Sequence, residues 1–159
     1  MDLEKLAVKV GEELEQHRLT LAAAESCTGG WLSQAITACP NSSRWFERGF
    51  VTYSNEAKQE MLGVDAAILA HHGAVSEQTA RAMAQGALAR SHATVALSVT
   101  GIAGPAGGSE EKPIGTVWIA WAHANKDTVC AKFLFSGGRR EIREQTVAEA
   151  LKGLLRYIG

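Results

Sequence analysis

Ala24-Glu25-Ser26-Cys27-Thr28-Gly29-Gly30 is the stretch on which the reading of this chain turns. A short apolar run, Leu19 to Ala24, precedes it. After it, apolar residues return at helical spacing: Trp31, Leu32, Ala35 and Ile36. A continuous apolar run that passes into a 3.6-residue period is a strand feeding a helix. The turn between them carries two hydroxyls, a thiol and two glycines. Backbone N–H groups at a helix start are unpaired and point at whatever occupies the turn. Ser26 therefore has two readings. It is a nucleophile with donors beside it for a developing oxyanion, or it is a helix cap.

The alternation continues on both sides. Leu3, Leu6, Ala7, Val10 and Leu14 recur at helical spacing and predict an amphipathic helix over residues 2–17. The strand 19–24 and a helix from about Gly30 to Ala38 follow, then a loop at Pro40-Asn41-Ser42-Ser43. Phe50 to Tyr53 reads as a short strand. Ser54 or Asn55 caps a helix that Gly63 ends, and Asp65 to His72 is a second short helix stopped by Gly73. Ser76 caps a helix to about Arg90. Thr94 to Val99 is a buried strand running into a glycine-rich loop, Thr100 to Gly108. Strands at Thr116 to Ala122 and Thr128 to Phe135, joined at Asn125-Lys126-Asp127, predict an antiparallel hairpin. Arg139 to Ile158 is the last helix. This alternation predicts an α/β fold, a three-layer α/β/α sandwich with a mixed, mostly parallel sheet. In such sheets ligands bind beyond the C-terminal strand ends. The Ser26 turn, the Tyr53–Lys58 segment and the glycine-rich loop each follow a strand.

The bulk numbers exclude other classes. A length of 159 residues suits one domain with a sizeable core, and 46% hydrophobic with 21% charged residues describes an ordinary globule. A net charge of −1 gives no global field toward nucleic acid or an anionic membrane. No run has the length of a membrane span, and Met1-Asp2-Leu3-Glu4-Lys5 does not read as a signal peptide. Cys27, Cys39 and Cys130 have no metal-ligand spacing, so a cytoplasmic protein with reduced thiols is expected.

Several residues invite chemistry. Lys58 falls in the first turn of its predicted helix, where the dipole opposes a cation and lowers its pKa, as a general base requires. The alternative is a solvated lysine paired with Glu56 or Glu60. Tyr53 brings a hydroxyl to the same cleft, or is a core strand aromatic. Arg139 and Arg143, one turn apart at a helix start, repel each other and oppose the dipole; an anion relieves both costs, and so do Glu141, Glu144 or other acids. Cys27 is the rival nucleophile, with His71 or His72 as partner, or an inert buried thiol. The glycine-rich loop lacks the Gly-Lys-Ser/Thr of a Walker A motif and the Gly-x-Gly-x-x-Gly of a dinucleotide fingerprint.

Taken in order, these segments resemble the CinA C-terminal domain family, in its stand-alone nicotinamide-nucleotide amidase form. The motifs are Ala24 to Gly30, Gly49 to Lys58, His72 to Ser76, Gly101 to Pro105 with Gly107-Gly108, Lys112 to Val117, and Phe135-Ser136-Gly137 followed by Arg139 and Arg143. They span nearly the whole chain, 1–159, as a single domain. Larger members carry an additional N-terminal domain, for which this length leaves no room. The resemblance implies hydrolysis of the carboxamide of nicotinamide mononucleotide, with no metal and no cofactor. It implies Ser26 as nucleophile, Lys58 as base and Tyr53 nearby. Thr28, Gly29 and Gly30 then become candidates around the oxyanion, Gly101 and Gly104 for the ribose or ring, and Arg139 and Arg143 for the phosphate. At Ala106, where an acidic or polar residue is expected in relatives, no role is assigned. Two other classes stay open: a catalytically silent nucleotide-binding module, and a protein tied to competence or DNA damage. The absence of a basic stripe speaks against direct DNA binding. Oligomeric state stays open, a homo-oligomer being one outcome.

Overall fold

In the computed structural model, which describes residues 2–159, helix α1 (Leu3–Gln16) starts where Asp2 accepts the Lys5 N–H and buries Ala7, Val10 and Leu14 along one face. Then come β1 (Leu21–Glu25), α2 (Trp31–Thr37), one 3-10 turn (Ser42–Arg44), β2 (Phe46–Val51), α3 (Asn55–Leu62), α4 (Ala66–His72) and α5 (Glu77–Ala89). The chain ends with β3 (Val95–Gly101), the hairpin β4 (Thr116–His123) and β5 (Lys126–Leu134), and α6 (Arg139–Ile158). Ser54, Asp65 and Ser76 each accept an N–H from the first turn of the helix they precede. Those donors have no partner inside the helix, so the caps fix where α3, α4 and α5 begin.

The strands pair in the order β2-β1-β3-β4-β5. β2, β1 and β3 are parallel; β4 is antiparallel to β3, and β5 to β4. Four strands thus point one way and β4 alone runs back, which is the mixed, mostly parallel sheet expected. β1 is Leu-Ala-Ala-Ala-Glu and is buried at every position. Side chains alternate across a sheet. Leu21 and Ala23 therefore join the cluster made with α1, α2 and α6, while Ala22 and Ala24 join Leu62, Leu69 and Met83 on the opposite face. Both faces are covered and the sandwich has three layers. Small residues let the layers approach: a Cβ on Gly153 of α6 would run into the Trp121 ring, whose Nε1 donates to the Ala150 carbonyl at 3.0 Å. No helix among the described residues is long and apolar enough to cross a membrane.

Some boundaries differ from the sequence reading. β2 spans Phe46–Val51, so Tyr53 lies beyond the strand. As an edge strand, β2 tolerates Glu47 and Arg48, which hid it from an apolar-run criterion. β5 starts at Lys126, and the hairpin turn is Ala124-Asn125, closed by pairing of His123 with Lys126. β3 carries on to Gly101, which pairs with Val117; a Cβ there would lie 2.5 Å from the Val117 side chain.

The topology creates one crevice. β1 leads to β2 on one flank, and β3 leads to β4 on the other. Connections leaving in opposite directions open a gap at the C-terminal ends of β1 and β3. The Ser26 turn and the loop from Gly101 border that gap.

Candidate active site

The site begins with Glu25, the last residue of β1, whose side chain is fully buried. Its Oε1 accepts from Thr28 Oγ1 (2.5 Å) and from the N–H groups of Gly30 (3.1 Å) and Leu32 (2.9 Å). Its Oε2 accepts from the Ser33 N–H (2.8 Å) and the Ser33 hydroxyl (2.7 Å). The cap of α2 is thus a carboxylate reaching forward from the preceding strand. The N-cap residue is Gly30, at φ 109°, a conformation that favours glycine. Anionic charge at a helix start is favourable. The cap reading of Ser26 falls away, because Glu25 performs that task and leaves the Ser26 hydroxyl free.

That hydroxyl meets Lys58. The Lys58 Nζ lies 3.0 Å from Ser26 Oγ and donates to the Thr52 carbonyl at 2.9 Å. Lys58 is 1% exposed. Among the described residues neither Glu56 nor Glu60 forms an ion pair with it, so the solvated-lysine alternative does not hold. Burial holds the Lys58 ammonium below its ordinary pKa of 10.5, since a low-dielectric surrounding disfavours the charged form. The cause is desolvation rather than the helix dipole that the sequence suggests. An ionised Cys27 would pull the other way, but burial pushes that thiol up to about 12. Cys27 is therefore a neutral thiol in the ordinary pH range and does not counter the shift. With Lys58 neutral, the Ser26 hydroxyl donates to the amine lone pair, which is the geometry of general-base activation.

A cavity of about 240 Å³ opens beside this pair, lined by Ser26, Cys27, Tyr53, Gly101, Ile102, Ala103, Gly104, Ala106 and Arg139. Tyr53 is 63% exposed and follows β2, so it is not the core aromatic of the alternative reading. Its hydroxyl accepts from Arg139 Nη2 at 3.0 Å, and Arg139 Nη1 donates to the Gly104 carbonyl at 2.9 Å. Arg139 thereby ties two walls of the cavity together at its mouth. His71 and His72 line a different hollow of about 400 Å³ beside Trp118 and Lys132, so neither shares the Cys27 cavity.

The structure separates residues that the sequence reading had grouped. Thr28 is fully buried with its hydroxyl on Glu25. The Gly29 N–H donates to the Ser26 carbonyl at 3.1 Å, and the Gly30 N–H to Glu25. These amides are committed inside the turn, and Cys27 is the residue beyond Ser26 that borders the cavity. Arg143 donates to the carbonyls of Cys27 (3.1 Å) and Thr28 (2.9 Å) and lies against Trp31, its guanidinium 5.5 Å from the ring centroid. The two guanidiniums are met by the Cys27, Thr28 and Gly104 carbonyls and the Tyr53 hydroxyl, and neither pairs with Glu141 or Glu144. Glu25 and the Thr52 carbonyl were missed. A single acid closing an apolar strand, followed by a glycine at the next helix start, was the signal available for Glu25.

Comparison with known proteins follows the same outline. The family described as CinA C-terminal domain matches residues 3–158. A relative from Escherichia coli strain K12, nicotinamide-nucleotide amidohydrolase PncC, is 52% identical over 153 residues, covering 96% of this chain and 93% of that protein. A CinA-like protein of Syntrophus aciditrophicus is 49% identical over 158 residues, covering 99% of this chain but 37% of that longer protein. The crystal structure of a competence/damage inducible protein from Agrobacterium tumefaciens superposes with a TM-score of 0.95 at 46% identity, covering 98% of this chain and 95% of that one.

Proposed function

Because the chain belongs to the CinA C-terminal domain family, we propose that it is an amidase that hydrolyses the carboxamide of nicotinamide mononucleotide, releasing nicotinate mononucleotide and ammonia. The observation that carries this reading is the contact of Ser26 Oγ with the buried Nζ of Lys58, at 3.0 Å. A hydroxyl is a weak nucleophile at its free pKa and needs an adjacent base. A lysine whose ammonium is disfavoured by burial supplies one.

The neutral Lys58 takes the Ser26 proton as Oγ bonds to the amide carbon, and the carbonyl oxygen becomes an oxyanion. The substrate's pyridinium withdraws electrons from that carbon and eases attack. The tetrahedral adduct collapses with cleavage of the C–N bond. The Lys58 ammonium returns the proton to the leaving nitrogen, and ammonia departs. Tyr53 serves as relay, because Arg139 occupies an acceptor position on its hydroxyl and leaves the O–H free to donate. Water, deprotonated by Lys58, then attacks the acyl carbon; the ester bond breaks, and Ser26 recovers its proton. A 240 Å³ cavity is smaller than the ~300–1,000 Å³ of sites that enclose a whole small-molecule ligand. It takes the pyridine carboxamide, with ribose against Gly101 and Gly104, and leaves the phosphate at the mouth. There Arg139 keeps guanidinium donors beyond the two already used. The same reading places the protein with its nucleotide substrate in the cytoplasm.

The test is ammonia release from nicotinamide mononucleotide by the purified protein, with nicotinate mononucleotide identified chromatographically. Stoichiometric appearance of both supports the amidase. A folded protein that binds the nucleotide without releasing ammonia refutes it and leaves a binding module.

A further inference from the structure

The arginine that does not reach the cavity holds the turn that does. Two rigid peptide planes lead from Arg143 back to the residue after the nucleophile. The Thr28–Gly29 unit accepts from Arg143 Nη2 at its carbonyl end (2.9 Å), and at its other end the Gly29 N–H donates to the Ser26 carbonyl (3.1 Å). The Ser26–Cys27 unit is thus held at its carbonyl, and its other end is the Cys27 N–H. A trans peptide is planar, with N–H and C=O pointing opposite ways, so fixing one end fixes the other. The Ser26 N–H is occupied by the Val99 carbonyl (3.1 Å), and the Gly30 N–H by Glu25. The Cys27 and Thr28 amides are bonded to no other residue; Thr28 is fully buried, and Cys27 is the one of the two that borders the cavity.

We propose that Arg143 is a positioning residue: through these two peptide units, and its second contact to the Cys27 carbonyl, it holds the Cys27 N–H as the donor to the oxyanion formed on the Ser26-bound amide carbon. The inference rests on the amidase reading. Its physics is electrostatic as well as geometric. A cation at one end of a hydrogen-bonded chain polarises each amide along it, which strengthens the last donor. Preorganised donors of this kind act where charge develops in the transition state. The effect therefore falls on turnover more than on substrate binding.

The experiment compares wild type, Arg143→Ala and Arg143→Lys on nicotinamide mononucleotide and on nicotinamide riboside, with and without added guanidinium ion. Far-UV circular dichroism establishes that each variant is folded. Arg143→Ala is expected to lose on the order of 10–100-fold in kcat on both substrates, with KM changed less than about threefold and partial recovery in guanidinium. Arg143→Lys keeps the charge and stem, so it remains folded, but it loses the two-pronged contact. Its expected kcat lies between the other two, with no response to guanidinium. A second readout does not depend on the substrate. An alkyl fluorophosphonate forms a Ser26 Oγ–P bond as P–F breaks, fluoride leaving and the serine proton passing to Lys58. Its labelling rate should fall in parallel with kcat. Unchanged kcat and labelling in both variants overturn the proposal. So does a KM rise confined to the phosphorylated substrate, which would make Arg143 an anion ligand. A wild type that labels at Ser26 but releases no ammonia fails the amidase reading alone, and the labelling rates of the variants still decide the role of Arg143.

Discussion

Replacing Glu25 with glutamine keeps the shape of the side chain, removes its charge and turns one acceptor oxygen into an NH₂. Two placements of the new amide compete. In one, its oxygen takes the Oε1 position and still accepts from the Thr28 hydroxyl and the Gly30 and Leu32 N–H groups. The NH₂ then faces the Ser33 N–H, donor against donor, while the Ser33 hydroxyl turns to accept. The reverse placement strands two N–H groups and is the worse choice. An orphaned buried N–H costs about 1–3 kcal/mol, and losing an anion at a helix start a further ~0.3–2 kcal/mol. Together they centre on about 3 kcal/mol, or about 6–12 °C in Tm for a chain of this size. The assay is thermal unfolding by circular dichroism at neutral pH, paired with ammonia release. Activity should fall as well, because the loosened turn carries Ser26. A Glu25→Gln protein that melts within about 1 °C of wild type would refute the reasoning that this carboxylate holds the turn.

Other outcomes follow from the same geometry. Ser26→Ala should abolish ammonia release while Cys27→Ala keeps most of it; a dead Cys27→Ala beside an active Ser26→Ala, both folded, would reverse the roles. For Lys58, burial places the folded-state pKa below 10.5, so activity should climb as pH rises through that lowered value. Between it and 10.5 the unfolded chain binds the extra proton, so stability also rises with pH in that window, and pH-resolved melts of Lys58→Met should lack this rise. Lys58→Arg should be inactive, because arginine does not give up its proton, and measurable turnover there would show that only charge is needed. Arg139→Ala should lose roughly tenfold to a hundredfold in kcat/KM on nicotinamide mononucleotide, the equivalent of one charge-assisted contact of about 1.5–3 kcal/mol, beyond any loss shared with the riboside through Tyr53. Equal losses on both substrates would deny Arg139 a phosphate role.

Periodicity made the frame legible. β1, α2 and α6 are bounded where apolar spacing changes, and the Ser26 turn stands at one of those changes. What did not show in sequence was the third dimension of single side chains. Lys58 reads as an ordinary helical lysine, because nothing in Asn-Glu-Ala-Lys reports that its Nζ is buried against Ser26 and the Thr52 carbonyl. Its altered acidity comes from desolvation, a property of packing that spacing rules do not carry. Spacing groups Arg143 with Arg139, since both carry charge one turn apart, yet its partners are carbonyl oxygens, and every residue has one. Glu25 was overlooked since a carboxylate ending an apolar strand is ordinarily a solvated strand end. Its worth shows only once α2 folds back over it. The apolar run puts Tyr53 in a strand, whereas β2 starts about four residues earlier, its polar edge positions masking that start.

The thiol beside Ser26 bears on how the site meets oxidants. Peroxide attacks the thiolate, and a thiol held near pKa 12 and buried offers almost none at neutral pH. Cys27 therefore acts as a small apolar filler of the turn rather than a redox handle. On the proposed reading the nucleophile is the Ser26 hydroxyl and the adjacent sulfur stays protonated, so peroxide treatment is expected to leave ammonia release unchanged.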